Sequence, residues 1–190
     1  YTMNGNNGLT YSAAGANTRG ANNQRLTEAT FQFHARQSRF WIKTWTPTDW
    51  GELGTHIETD FFGNVLGAPG GPTFRMRHAY GYLGPVLAGQ TWNVYNPLFA
   101  GAETLDFGGP NGVPSIPRTT QLRYTHSFGQ GTTLIMAINT VGDTVTTPVA
   151  GAGRQRFPDF EWSIHHNFSG GRIWLGGVIG EIGFEPTAAG

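Results

Sequence analysis

The 190-residue chain contains no cysteine. That excludes a disulfide framework and any thiolate metal site. Charged residues make up only 13% of it, about half the share usual in soluble domains. Lysine is almost missing: Lys43 is the one lysine among the 12 basic residues. Soluble proteins cover their exterior with lysine and glutamate, and this chain does not. Its 12 basic and 12 acidic residues balance, which gives no electrostatic footprint for nucleic acid. No run approaches the 18 or more apolar residues of a membrane helix.

What is abundant is glycine, 29 residues, and aromatic side chains, 13%. No heptad or 3.6-residue period stands out. The signal is alternation, the period of a strand. It predicts eight strands, at 35–46, 52–62, 74–83, 86–95, 119–128, 132–141, 158–168 and 172–184. Tight turns (TPTDWG, GP, GQG, SGG) alternate strictly with long connections around 63–73, 96–118 and 142–157, and with a leading segment 1–34. Short turns at one end of an up-and-down antiparallel sheet and long loops at the other are the layout of an outer-membrane barrel. The aromatics fall at two levels. Trp45, Trp50, Tyr80, Tyr82, Phe128 and Phe168 lie near the short turns, and Phe61, Phe62, Phe74, Tyr95, Phe99, Phe160 and Phe184 near the long loops.

Side chains of a strand alternate between faces. Leu53, Ile57 and Phe61 therefore oppose His56, Glu58 and Asp60; Phe74, Met76, Tyr80 and Tyr82 oppose Arg75 and Arg77. In the same way Leu122, Tyr124 and Phe128 oppose Gln121 and Arg123, Phe160, Trp162 and Ile164 oppose Asp159, Glu161 and Ser163, and Phe40 and Ile42 oppose Arg39 and Lys43. Small residues beside arginines suit a concave wall with room for long side chains. The polar face is therefore expected inside a water-filled barrel and the apolar face against lipid, which requires the sheet to close.

The stretches HARQSRFWIKTWTPTDWGELGTHIETDFFG, FRMRHAYGYLGPVLAGQTWNVY, ETLDFGGPNG and QLRYTHSF together resemble the DcaP-like family of bacterial outer-membrane porins. The resemblance implies a homotrimer in outer-membrane lipid, each barrel of about sixteen strands, selective for small anionic solutes of the dicarboxylate type. This chain of about eight strands begins with YTMNGNNGLT, which reads as the inside of a polar loop. It is expected to be one transmembrane β-barrel region, 1–190, of a larger all-β, antiparallel up-and-down barrel: a leading extracellular loop 1–34, strands over 35–184, and a constriction loop 96–118 that folds inward.

Channel selectivity comes from the charges at the narrowest part. The expected pore-lining residues are Arg39, Lys43, Glu58, Asp60, Arg75, Arg77, Arg123 and Glu161, with Glu103 and Asp106 opposing them from the constriction loop. Arginine's planar fork fits a carboxylate. Alternate side chains on a strand lie about 7 Å apart, so His56, Glu58 and Asp60 do not share one metal ion, and no metal or cofactor is expected. His78 and His126 count onto the apolar face. Two other readings compete. A soluble carbohydrate-binding β-sandwich would use exposed tryptophan and tyrosine. An outer-membrane barrel hydrolase would use Ser163 and His165, but no third group is evident.

Overall fold

The computed structural model describes residues 35–64, 71–96, 117–140, 151–154, 156–181 and 183–186. Among the described residues ten strands form: β1 (Phe40–Thr48), β2 (Gly51–Asp60), β3 (Arg75–Leu83), β4 (Val86–Trp92), β5 (Arg118–Phe128), β6 (Thr132–Thr140), β7 (Gly151–Arg154), β8 (Asp159–Phe168), β9 (Gly171–Ile179) and β10 (Gly183–Pro186). Eight of them hydrogen-bond into one sheet in the order β1-β2-β3-β4-β5-β6-β8-β9. Apart from β7, chain order is sheet order, as an up-and-down antiparallel meander requires. No helix occurs among the described residues.

The expected final strand 172–184 is two elements. β9 ends at Ile179, and β10 pairs with β7, Gly183 opposite Arg154. Gly180 follows the break, and a Cβ there would stand 2.0 Å from Asp159 Oδ1, so the Asp159 side chain would have to turn away.

Tight turns set the register. Thr48 Oγ1 accepts the Trp50 amide at 3.2 Å and closes the β1–β2 turn. Gly84 turns between β3 and β4 at φ +52°, where a Cβ would meet the Trp50 carbonyl at 2.8 Å. Register then runs without a slip from β4 to β9: Leu87 pairs Arg123, Arg123 pairs Ala137, Ala137 pairs Glu161, and Glu161 pairs Val178.

Two compact units divide the chain, residues 1–41, 58–77 and 98–115, and residues 42–57, 78–97 and 116–190. In the second, the usual arrangement of a globular core is inverted. His56, Thr91, Gln121, Asn139, Glu161 and Ser163 are buried, whereas Trp50, Leu53, Leu122, Phe128, Leu175 and Ile179 are exposed. The first unit follows suit, with Arg36, Asp60 and Arg77 buried and Phe40, Phe74 and Met76 exposed. Burying one such apolar side chain is worth about 1.5–3 kcal/mol. A face that leaves so many out is stable only against an apolar medium.

One strand departs from the expected alternation. Consecutive Arg77 and His78 are both buried, at 5% and 7% exposure, so counting by twos fails there. Beyond that point His78, Tyr80 and Tyr82 lie with His56 and Glu52 on the polar face, and not with the apolar residues. His78 stacks on His56 with ring centroids 5.4 Å apart, and Tyr80 Oη meets His56 Nδ1 at 3.2 Å. The Tyr82 hydroxyl donates to Glu52. Gly54 makes room for this: a Cβ there would fall 2.4 Å from the Tyr82 ring.

Candidate functional site

In the first unit, the acidic end of β2 and the basic start of β3 form one network. Arg75 grips Asp60 with both prongs, Nε to Oδ1 at 3.0 Å and Nη2 to Oδ2 at 2.5 Å. Arg77 bridges the two carboxylates, Nε to Glu58 Oε1 at 2.6 Å and Nη1 to Asp60 Oδ2 at 3.1 Å. Arg39 approaches Glu58 Oε1 at 3.8 Å. The Phe62 amide also donates to Asp60 Oδ1, at 3.1 Å. Asp60 is 1% exposed and its charge is fully met, which is what makes a buried carboxylate tolerable.

Sequence reasoning missed Arg36, which belongs to the same cluster. Arg36 Nε donates to the Phe61 carbonyl at 3.2 Å, and Nη2 donates to the Asn64 carbonyl. Its guanidinium lies 4.6 Å from the Phe62 ring centre, and that of Arg75 lies 5.1 Å from it. Phe62 therefore carries cations against its ring instead of serving in an outward belt. Among the described residues, Arg39, Arg75 and Arg77 meet two carboxylates, Glu58 and Asp60, and Arg36 binds the backbone beside them.

In the second unit, Arg123 stands differently. It sits on β5 between Leu87 and Ala137 in register, half-buried, within electrostatic reach of Tyr80. Its Nε is buried without a hydrogen-bond partner, and it forms no ion pair with any described carboxylate. Lys43 is exposed on β1. Glu161 is wholly buried on β8; Oε2 accepts the Val94 amide at 2.7 Å and Oε1 has no partner. The Val94 contact is informative. Val94 follows β4, and β4 and β8 are not neighbours in the sheet. The chain leaving β4 is thus carried over the polar face to β8. The expected loop continues from there, but residues 97–116, including Glu103 and Asp106, lie outside the described ones, as does the leading loop 1–34.

Ser163 Oγ and His165 Nε2 are 3.1 Å apart. Ser163 is completely buried, and no described carboxylate orients the imidazole. A nucleophile needs both exposure and such a partner. Among the described residues no group of three His, Asp or Glu side chains could hold a metal ion.

A polar face buried, an apolar face exposed and strands in meander order are the marks of an outer-membrane strand protein. The family model described as DcaP outer membrane protein matches residues 4–178. The chain belongs to this family. DcaP proteins are outer-membrane proteins. A solved structure of similar fold is the crystal structure of the outer membrane channel DcaP of Acinetobacter baumannii, with a TM-score of 0.63 and 24% identity. The match covers 79% of this chain and 45% of the channel, so the chain spans less than half of the protein it resembles. No curated protein matches the chain.

Proposed function

We propose that this DcaP-family chain is part of a porin for passive diffusion of small anionic solutes, carboxylates or dicarboxylates, across the bacterial outer membrane. The observation that carries the reading is the charge of the polar face. Among the described residues, Arg36, Arg39, Arg75 and Arg77 outnumber Glu58 and Asp60, and Arg123 offers a guanidinium that no described carboxylate neutralises. Arg75 and Arg77 are anchored to Asp60, so they supply field more than free hydrogen bonds. Arg39 and Arg123 are the groups left to meet a passing carboxylate. A forked contact to a carboxylate is favourable, and its solvent exposure keeps it weak enough for release. We propose that Lys43, Glu58 and Glu161 also line the lumen, and count Glu103 and Asp106, outside the described residues, as further lumen charges. The family resemblance supports a homotrimer as the working assembly.

The test is ion selectivity of the full-length channel in planar bilayers under a salt gradient, paired with dicarboxylate uptake into liposomes. Arg123→Ala with Arg39→Ala should move the reversal potential toward cations and slow dicarboxylate entry several-fold. If both measurements match the unsubstituted channel, the anionic reading is wrong.

A further inference from the structure

A second set of polar side chains on this wall has no role in the anion reading. Glu161 is wholly buried, makes no ion pair, and leaves Oε1 without a partner. Asn93, Gln121 and Asn139 are 4%, 4% and 2% exposed, and each also carries a buried side-chain oxygen without a partner. Four orphaned oxygens in one compact unit are more than burial ordinarily tolerates. A buried carboxylate that keeps its charge must be paired or must bind a metal.

The four are brought together by specific contacts. Gln121 and Asn139 are in-register partners on β5 and β6. The Asn139 side chain is close enough to offer the Glu161 carboxylate a hydrogen bond, and Asp159 lies within electrostatic reach of it. Asn93 immediately precedes Val94, whose amide is hydrogen-bonded to Glu161 Oε2. The orientation of Gln121 is settled by its nitrogen, which donates to the Trp92 carbonyl at 2.9 Å and the Thr91 carbonyl at 3.3 Å. Its orphan is therefore an acceptor. Neither atom of the Asn93 amide is engaged, and Asn139, whose amide nitrogen is turned toward the Glu161 carboxylate, keeps its oxygen available.

We propose that Glu161, Asn139, Gln121 and Asn93 bind a hard divalent cation of the calcium type, fastening the chain that leaves β4 to the wall at β8. One carboxylate and several amide oxygens, without nitrogen or sulfur donors, is the chemistry such a cation selects. The ion supplies the positive charge that Glu161 lacks and satisfies the amide oxygens left without a donor. The site shares no residue with the Arg39–Arg75–Arg77 cluster and does not depend on which solute passes.

The test uses the full-length protein in detergent, stripped with a chelator and titrated with CaCl2 by calorimetry, with thermal unfolding alongside. The stripped protein is expected to take up one tightly bound calcium per chain and to melt higher with it. Glu161→Gln should weaken that uptake at least about tenfold by removing the charged ligand, and Asn139→Ala should weaken it less. Glu161→Asp, which keeps the carboxylate, should retain part of the binding if Glu161→Gln does not fold. Asp49→Asn, in the β1–β2 turn, should change nothing. Calcium bound equally by the unsubstituted protein, Glu161→Gln and Asn139→Ala would belong to lipid or to the surface and would overturn the proposal. So would a stripped protein that binds none, with its orphaned oxygens met by water or by a proton on Glu161.

Discussion

The amide of Val94 is hydrogen-bonded to the carboxylate of Glu161 at 2.7 Å across 67 residues of sequence. Glu161 faces the polar side of the sheet, so the chain leaving β4 starts over that side. If residues beyond it narrow the channel, removing them must widen it. Deletion of 100–112 is expected to raise single-channel conductance in planar bilayers. An unchanged conductance would mean that this loop lies clear of the ion path.

Asp60 and the arginines make opposite predictions. Asp60→Asn keeps the shape but withdraws one of the two charges that offset Arg75 and Arg77. Anion preference should rise, read as a reversal-potential shift in a salt gradient. Stability should fall by about 1–3 kcal/mol, because charge-assisted hydrogen bonds are weakened in a buried setting. Arg75→Ala with Arg77→Ala should shift the potential toward cations. It should destabilise the fold further, since Asp60 is then left charged, buried and unpaired. Shifts of the same sign in both variants would separate this network from selectivity.

Two glycines on the polar face differ in what they tolerate. A Cβ at Gly89, at φ +129°, would stand 2.3 Å from the Ala79 carbonyl, which is backbone of the paired strand. A Cβ at Gly54 would meet only the ring of Tyr82, whose side chain is able to turn away. Gly89→Ala is therefore expected to block folding or cost several kcal/mol. Gly54→Ala should cost about 1–3 kcal/mol, as overpacking does. Refolding yield into detergent and urea unfolding compare the two, and equal losses would contradict the distinction.

The two faces of β5 offer a direct check on orientation in the membrane. Leu122 is half-exposed on the apolar face, and Thr125 lies on the other. Leu122→Arg puts a charge against hydrocarbon and should cost about 2–4 kcal/mol near the bilayer centre. Thr125→Arg should be tolerated. Folding into liposomes followed by urea titration measures both. A tolerated Leu122→Arg with a damaging Thr125→Arg would reverse the assignment of faces.

Much of this was legible in the chain. Scarce lysine, strict alternation and turns of two lengths point to an antiparallel meander with one apolar and one polar face. The strand period makes Ile57 and Glu58 opposites whatever the rest of the fold does. The motifs around Ala35–Gly63 and Phe74–Tyr95 already carried the DcaP resemblance. What the tertiary structure decided are matters of register and of long-range contact. A break in alternation between Arg77 and His78 returned Tyr80 and Tyr82 to the polar face, because a period counted from Phe74 has no means of registering one residue out of step. Alternation placed Arg75, Arg77, Glu58 and Asp60 on one side but did not say which carboxylate each arginine grips, since that depends on how β2 and β3 slide against each other. Arg36 joined the cluster and Val94 found Glu161 only because the folded chain brought distant segments together, and no local pattern encodes such a meeting.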